Sequence, residues 1–171
     1  MSVYRADVKD IEVILSVINK SNSEAYRKII PPEYFKEPVF TREELLQKFR
    51  EMTFFIYELE DESVGVAALQ IEGEELGYVR FVYVLPDHQR KGVGTSLVTY
   101  IEAEARRLGL KTLKVPYVDM NAYWAINFYT KLGYSIIDKR KKPWGYDLFL
   151  EKSLIRDYPL CKFQASHWMI S

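Results

Sequence analysis

The chain has 171 residues, and its 24 Lys and Arg balance 24 Asp and Glu to a formal net charge of zero, which excludes the broad basic field of a nucleic-acid-binding surface. A hydrophobic share of 48%, with 13 Tyr, 9 Phe and 3 Trp, belongs to a folded chain, and the length suits one domain. The single cysteine, Cys161, excludes an internal disulfide and a Cys-rich zinc cluster and fits a reducing, cytoplasmic setting.

Val3 to Ala6 reads as a short strand, and Asp7 or Asp10 can cap a helix that carries Ile11, Ile14, Leu15 and Ile18 at spacings of three and four. Asn22 to Phe40, with Pro31, Pro32, Pro38 and four aromatic residues, is poorly periodic, and we expect a long excursion that is partly helical from Glu24 to Ile29. Thr41-Arg42-Glu43-Glu44 is a capping box, and Leu45, Leu46 and Phe49 follow it at helical spacing. Three runs rich in β-branched and aromatic residues come next: Phe54 to Leu59, Val64 to Leu69 and Tyr78 to Val84. Their short polar separators predict an antiparallel meander.

From Gly94 the period changes, and Leu97, Val98, Ile101, Ala105 and Leu108 form a helical stripe that Gly109 ends. Lys111 to Val115 returns to strand and Ala122 to Leu132 to helix, with Gly133 as its stop. Tyr134 to Ile137 and Gly145 to Leu150 are two further strands around Lys139-Arg140-Lys141-Lys142, which reads as a solvated basic turn. The order β-α-α-β-β-β-α-β-α-β-β implies an α/β (α+β) fold, a mixed sheet with helices on both faces. The strand-helix-strand unit around Leu97 requires a parallel crossover.

Residues 153–171 follow the expected domain of 1–152. Tyr158, Leu160, Phe163, Trp168, Met169 and Ile170 make them too apolar for a solvated tail, so an extension docked on the domain or at a homodimer contact is expected. Met1 to Asp7 lacks a signal-peptide layout, and no uncharged run approaches the roughly 18 apolar residues of a membrane span. The two histidines, His88 and His167, stand outside any HExxH pair, so no metal centre is expected.

The chemistry gathers between Val82 and Leu97. A strand ends, a turn holds Gly92 and Gly94 beside Arg90 and Lys91, and a helix begins. Unpaired amides and the positive end of a helix dipole converge there, as an anion requires; a glycine turn serving only a sharp reversal is the competing reading. Leu97 stands where a dinucleotide fingerprint needs glycine, and the spacing of a P-loop is absent.

Gln89-Arg90-Lys91-Gly92-Val93-Gly94 resembles the acyl-CoA pyrophosphate loop of the GNAT superfamily of N-acetyltransferases: Gln or Arg, two residues, Gly, one residue, Gly or Ala. Ala125 to Tyr134, with Phe128, Tyr129 and Gly133, is similar to a later helix of the same family. The resemblance covers about 150 residues and implies a mostly antiparallel sheet with one parallel pair, the fourth and fifth strands, splayed for the cosubstrate. It implies acetyl-CoA, no metal, and an amine acceptor, a small molecule or a peptide, attacking the thioester in a ternary complex.

By the same resemblance Val82, Tyr83 and Val84 hold the pantetheine arm, Arg90, Lys91, Gly92, Val93, Gly94 and Thr95 hold the pyrophosphate, with Gln89 as a further cofactor-binding residue, and Tyr129 is the general acid that protonates the departing thiolate. A plain place for Tyr129 on the stripe of Ala125, Phe128 and Leu132 is the alternative.

Two departures from the family pattern stand out. Ala122 occupies the place of an Asn that contacts the CoA arm, which leaves Asn121 either to do that work or to cap the helix. Pro116-Tyr117 falls where some relatives carry a basic Glu. Glu75 is then the candidate base acting through water, with Glu24 and Asp119 as rivals and a solvated hairpin as the other reading of Glu74-Glu75. Arg80 either faces the acceptor groove or snorkels to solvent. The groove itself is expected between Asn22 to Phe40 and Trp144. A CoA-binding regulatory module without strong catalysis is the alternative function.

Overall fold

The structure, a computed structural model, describes residues 2–155. Strand β1 (Ser2–Arg5) leads into a capping box in which Asp7 accepts from the Lys9 amide and Asp10 from the Asp7 amide. Asp7 therefore caps a 3₁₀ turn over Val8–Asp10, and Asp10 makes no cap bond to the helix behind it. That helix, α1 (Ile11–Tyr26), is one uninterrupted element of 16 residues. The irregular excursion expected from Asn22 begins only after Tyr26, and Ile11, Ile14, Val17, Ile18 and Ser21 make one buried stripe. Helix α2 (Arg42–Glu51) starts at the expected box: Thr41 accepts from the Glu44 amide and Glu44 from the Thr41 amide.

The remaining elements are β2 (Thr53–Leu59), β3 (Glu62–Ile71), β4 (Leu76–Val84), α3 (Val93–Arg107), β5 (Thr112–Asp119), α4 (Tyr123–Lys131), β6 (Ser135–Lys142) and β7 (Gly145–Ser153). One seven-stranded sheet takes the order β1-β2-β3-β4-β5-β7-β6. Every pair is antiparallel except β4 with β5, which the α3 crossover makes parallel. This is the mixed, mostly antiparallel α/β sheet expected.

The β4–β5 pairing is short. It runs from Leu76 opposite Thr112 to Tyr78 opposite Lys114 and then stops. Past that point each strand carries a bulge. Phe81 and Val82 of β4 stand against Ala67 alone of β3, and Pro116 and Tyr117 of β5 stand against Phe149 alone of β7. Phe81 and Tyr117 take positive φ, 52° and 56°. An extra residue bends and twists its strand, so bulges on both neighbours open the sheet between them, and Pro116 brings no amide to a ladder there.

Two apolar cores fill the two faces. One packs α3 and α4 through Leu97, Val98, Ile101 and Tyr129 against Leu113 and Leu150. The other packs α1 and α2 through Ile14, Ile18 and Leu45 against Phe54, Ile56 and Ala68.

The basic run Lys139 to Lys142 is the second half of edge strand β6, and the turn is Pro143-Trp144. The exposed charges of Lys139, Arg140 and Lys141 hide this half of the strand from any hydrophobic pattern while protecting the edge from further pairing, and Lys142 turns inward. Cys161, His167 and the expected docking of the tail lie outside the described residues. Among the described residues no helix is long and apolar enough to cross a membrane.

Candidate active site

The opening between β4 and β5 leaves one side of β4 unpaired. Val66 and Gly65 of β3 still face Tyr83 and Val84, but the peptide groups turned toward β5 have no strand partner beyond Tyr78. A free internal strand edge accepts an extended, amide-bearing ligand as an added strand would be accepted. Beyond the edge, Gln89 Nε2 donates to the Val84 carbonyl at 3.1 Å, tying the following loop back to the strand end.

That loop reverses the chain through two left-handed residues, Arg90 at φ 61° and Gly92 at φ 82°. Gly92 is the N-cap of α3 and offers no side chain to cap it. The first-turn amides of Val93, Gly94 and Thr95 therefore point outward unpaired, and the α3 dipole adds partial positive charge at the same point. Gly94 has a different reason to lack a side chain: a Cβ there would lie 3.2 Å from the Phe128 ring of α4. It sets how closely the two helices approach.

A cavity of about 570 Å³ joins these parts, lined by Val82, Tyr83 and Val84, by Gln89, Arg90 and Gly92 to Thr95, and by Ala125, Asn127, Phe128 and Tyr129 of α4. Tyr129 is buried, its ring 4.9 Å from Phe128 and 5.8 Å from Tyr134. Burial first, and neighbouring Tyr26, Tyr134 and Tyr83 second, push its phenol pKa well above the ordinary value, so it stays protonated. From α1, Ser21, Ala25 and Tyr26 close the opposite wall, with Tyr26 pushed up to about 12 by burial and then by the charge of Asp119. Tyr83 donates from Oη to Asn22 Oδ1 at 3.2 Å, and burial raises its pKa too.

The expected site residues divide accordingly. All but Lys91, Asn121 and Glu75 line the cavity. Asn121 does not cap α4; the N-cap position is Ala122, and the Asn121 amide donates to Asp119 Oδ1 at 2.8 Å. Glu75 sits at the far end of β4, paired with Lys111 at 2.7 Å. Seven residues of strand, about 23 Å, separate it from Val82, which removes it from reach of the cavity. Glu24 borders a shallow hollow with Ser23, Arg27 and Lys28 on the outer side of α1.

Asp119 ends β5 and is the centre of a buried cluster. Its Oδ2 accepts from Lys142 Nζ at 2.6 Å and from Trp144 Nε1 at 2.8 Å, and Lys142 also meets Asp147 Oδ1 at 2.6 Å. Burial opposes the Asp119 charge, yet Lys142, the Asn121 amide and Trp144 outweigh it and hold the pKa below the usual carboxylate value. Trp144, so fixed, packs on Tyr34 at 4.9 Å, and Tyr26 packs edge-on to Trp124 at 5.5 Å. The Asn22 to Phe40 segment and the β6–β7 turn thus do meet. Ser21, Tyr26, Trp124 and His88 are cavity residues that sequence reading missed; the small pair Ser21 and Ala25, one helical turn apart beside the apolar stripe, was the available signal.

An opened sheet, a free inner strand edge and an uncapped helix start are what the sequence resemblance calls for, and they define an N-acetyltransferase fold. The model of the Acetyltransferase (GNAT) family matches residues 18–134, and the chain belongs to that family. An uncharacterised N-acetyltransferase of Methanocaldococcus jannaschii is 30% identical over 95 residues, 52% of this chain and 42% of that protein. The chain therefore spans less than half the length of this curated relative.

Among solved structures, the PaiA N-acetyltransferase of Thermoplasma acidophilum in complex with coenzyme A is similar at a TM-score of 0.77 and 21% identity, covering 90% of this chain and 99% of that one. The ribosomal-protein-alanine N-acetyltransferase of Brucella melitensis is similar at 0.72 and 20%, covering 90% and 99%.

Proposed function

We propose that the protein transfers an acetyl group from acetyl-CoA to an amine in a ternary complex. The observation that carries this reading is the single cavity onto which the β4 edge, the α3 start and Tyr129 all open. The similar PaiA structure holds coenzyme A, which supports the cosubstrate. The loop from Gln89 to Thr95 receives the pyrophosphate on backbone amides and the α3 dipole, with Arg90 and Lys91 adding charge. The pantetheine amides pair along Val82 to Val84, which positions the thioester beside the β4 bulge.

The amine nitrogen attacks the thioester carbonyl, and an N–C bond forms as the C–S bond breaks. An ammonium releases one proton on the way in and the sulfur gains one on the way out. Backbone N–H groups at the β4 opening stabilise the oxyanion. Tyr129 donates to the sulfur. A phenol above 10 facing a thiol near 8.5 makes full proton transfer uphill, so its main effect is the hydrogen bond that strengthens as thiolate charge develops. Among the described residues no carboxylate lines the cavity, so the ammonium proton leaves through water, and weakly basic amines, neutral at working pH, react best.

Release of CoA thiol with a panel of amines tests the reading. Turnover on at least one amine, together with thermal stabilisation by acetyl-CoA, is expected. Stabilisation without turnover on any amine replaces it with the second reading, a CoA-binding module, which the carboxylate-free cavity favours. No stabilisation by acetyl-CoA defeats both.

A further inference from the structure

Arg80 stands on β4 immediately before the bulge, on the sheet face that also carries Phe81 and looks toward α1 and α2. Its guanidinium carbon lies 4.7 Å from the Phe81 ring centroid and 5.8 Å from that of Tyr117. The two bulge residues that open the sheet thus flank one cation. Nη1 donates to Gln70 Oε1 at 2.8 Å, one of the five N–H donors a guanidinium carries. None of the ion pairs among the described residues includes Arg80. Glu51 and Glu72 act on it only at longer range, and Glu51 is engaged by Lys48 at 3.2 Å. Burial works against its charge and lowers its pKa.

A guanidinium drawn partly out of water, flanked by two rings and given no counter-ion among the described residues costs stability that an apolar side chain of similar volume would not. Its remaining donors, in a fork shaped for a carboxylate, are a reason to retain it. Val82 and Tyr83, which line the cavity, lie two and three residues further along β4, about 7–10 Å away. We propose that Arg80 is a specificity residue that receives a carboxylate of the acceptor, so that the acceptor class is an amine bearing a carboxylate several bonds from its nitrogen. This rests on the acetyl-transfer reading above.

Glycine, diglycine and triglycine, each beside its C-terminal amide, form the probe set, with acetyl-CoA as donor. The expected result is a preference for acid over amide, seen in KM at the length that fits, which falls at least tenfold in Arg80→Met and is partly kept in Arg80→Lys. The Met variant, which keeps an apolar stem, is expected to melt at or above the wild-type temperature; a merely structural arginine would lower it. Equal use of acids and amides at every length, or an unchanged preference in Arg80→Met, overturns the proposal while turnover on the amides leaves acetyl transfer standing.

Binding is read separately, without turnover. With CoA present, triglycine should raise the wild-type melting temperature more than its amide does, and Arg80→Met should abolish that difference. Equal shifts in the wild type overturn the proposal even if no amine is acetylated.

Discussion

Asp119→Asn is the sharpest probe of how the end of β5 and the β6–β7 turn are held together. Asp119 is 4% exposed and accepts from Lys142, Trp144 and the Asn121 amide. An asparagine keeps one acceptor oxygen but turns an NH₂ toward two donors. The charge-assisted bond to Lys142 is worth about 2 kcal/mol and the bond from Trp144 about 1 kcal/mol. Lys142 keeps Asp147 at 2.6 Å, so the larger penalty of a wholly unpaired buried charge does not arise.

The sum, about 3 kcal/mol, corresponds to a fall of about 6–12 °C in melting temperature for a chain of this size. The sign with pH follows from the depressed pKa of Asp119: its contribution is present above the unfolded value near 3.9 and is lost as pH falls through the lower folded value. Melting curves of the two proteins should therefore be furthest apart near neutrality and converge below about pH 4. A fall of less than about 2 °C at neutral pH, or a gap that widens in acid, refutes the account. With Trp144 released from its anchor, the acceptor KM should also rise while CoA affinity holds.

Tyr129→Phe should lower kcat by about a hundredfold, the low end for a proton donor, with little change in CoA affinity measured by calorimetry. Since its phenol pKa lies well above 10, the wild-type rate profile should show no loss of activity assignable to Tyr129 across the neutral range. Gly92→Ala meets no atom within 4 Å but keeps φ at +82°, so it should cost about 1 kcal/mol in chemical unfolding and weaken CoA binding as the loop shifts. Glu75→Gln breaks only an exposed pair with Lys111, whose side chains are 60% and 53% exposed, so stability should change by less than about 1 kcal/mol. Thiol release should be unaffected, and a large loss of turnover would return Glu75 to the chemistry.

The helices and the meander were legible because their signals are local. The Thr41–Glu44 box, the α3 stripe and the Gly92-x-Gly94 turn each complete themselves within one or two turns of chain. What sequence missed depends on long-range placement. α1 runs through Ser21 and Asn22 because Ser21 is buried against the sheet and Asn22 receives Tyr83, contacts no propensity records. The first half of β6 was legible, but Lys139 to Lys142 passed for a turn because a charged edge strand has no alternation to read. Asp119 gathers Lys142 and Trp144 from 23 and 25 residues away, and Glu75 was misplaced because a strand brings only one of its ends to a site.

Among the described residues, five other than glycine hold positive φ: Glu60, Asp61, Phe81, Arg90 and Tyr117. Glu60 and Asp61, with φ of 50° and 63°, form the two-residue turn between β2 and β3, where such angles match the twist of a hairpin. The other three serve no hairpin. Phe81 and Tyr117 mark the bulges that part β4 from β5, and Arg90 precedes the uncapped start of α3. Each such conformation costs about 1–3 kcal/mol unless its surroundings compensate. For the two bulge residues the compensation is visible: Phe81 packs edge-on to Phe40 and Tyr117 edge-on to Phe149. A sheet in continuous register would shed this strain, but it would also pair the β4 edge along its whole length and close the cavity. The strain is the cost of keeping a strand edge free inside a sheet, and it falls where the acetyl-transfer reading requires the sheet to be open.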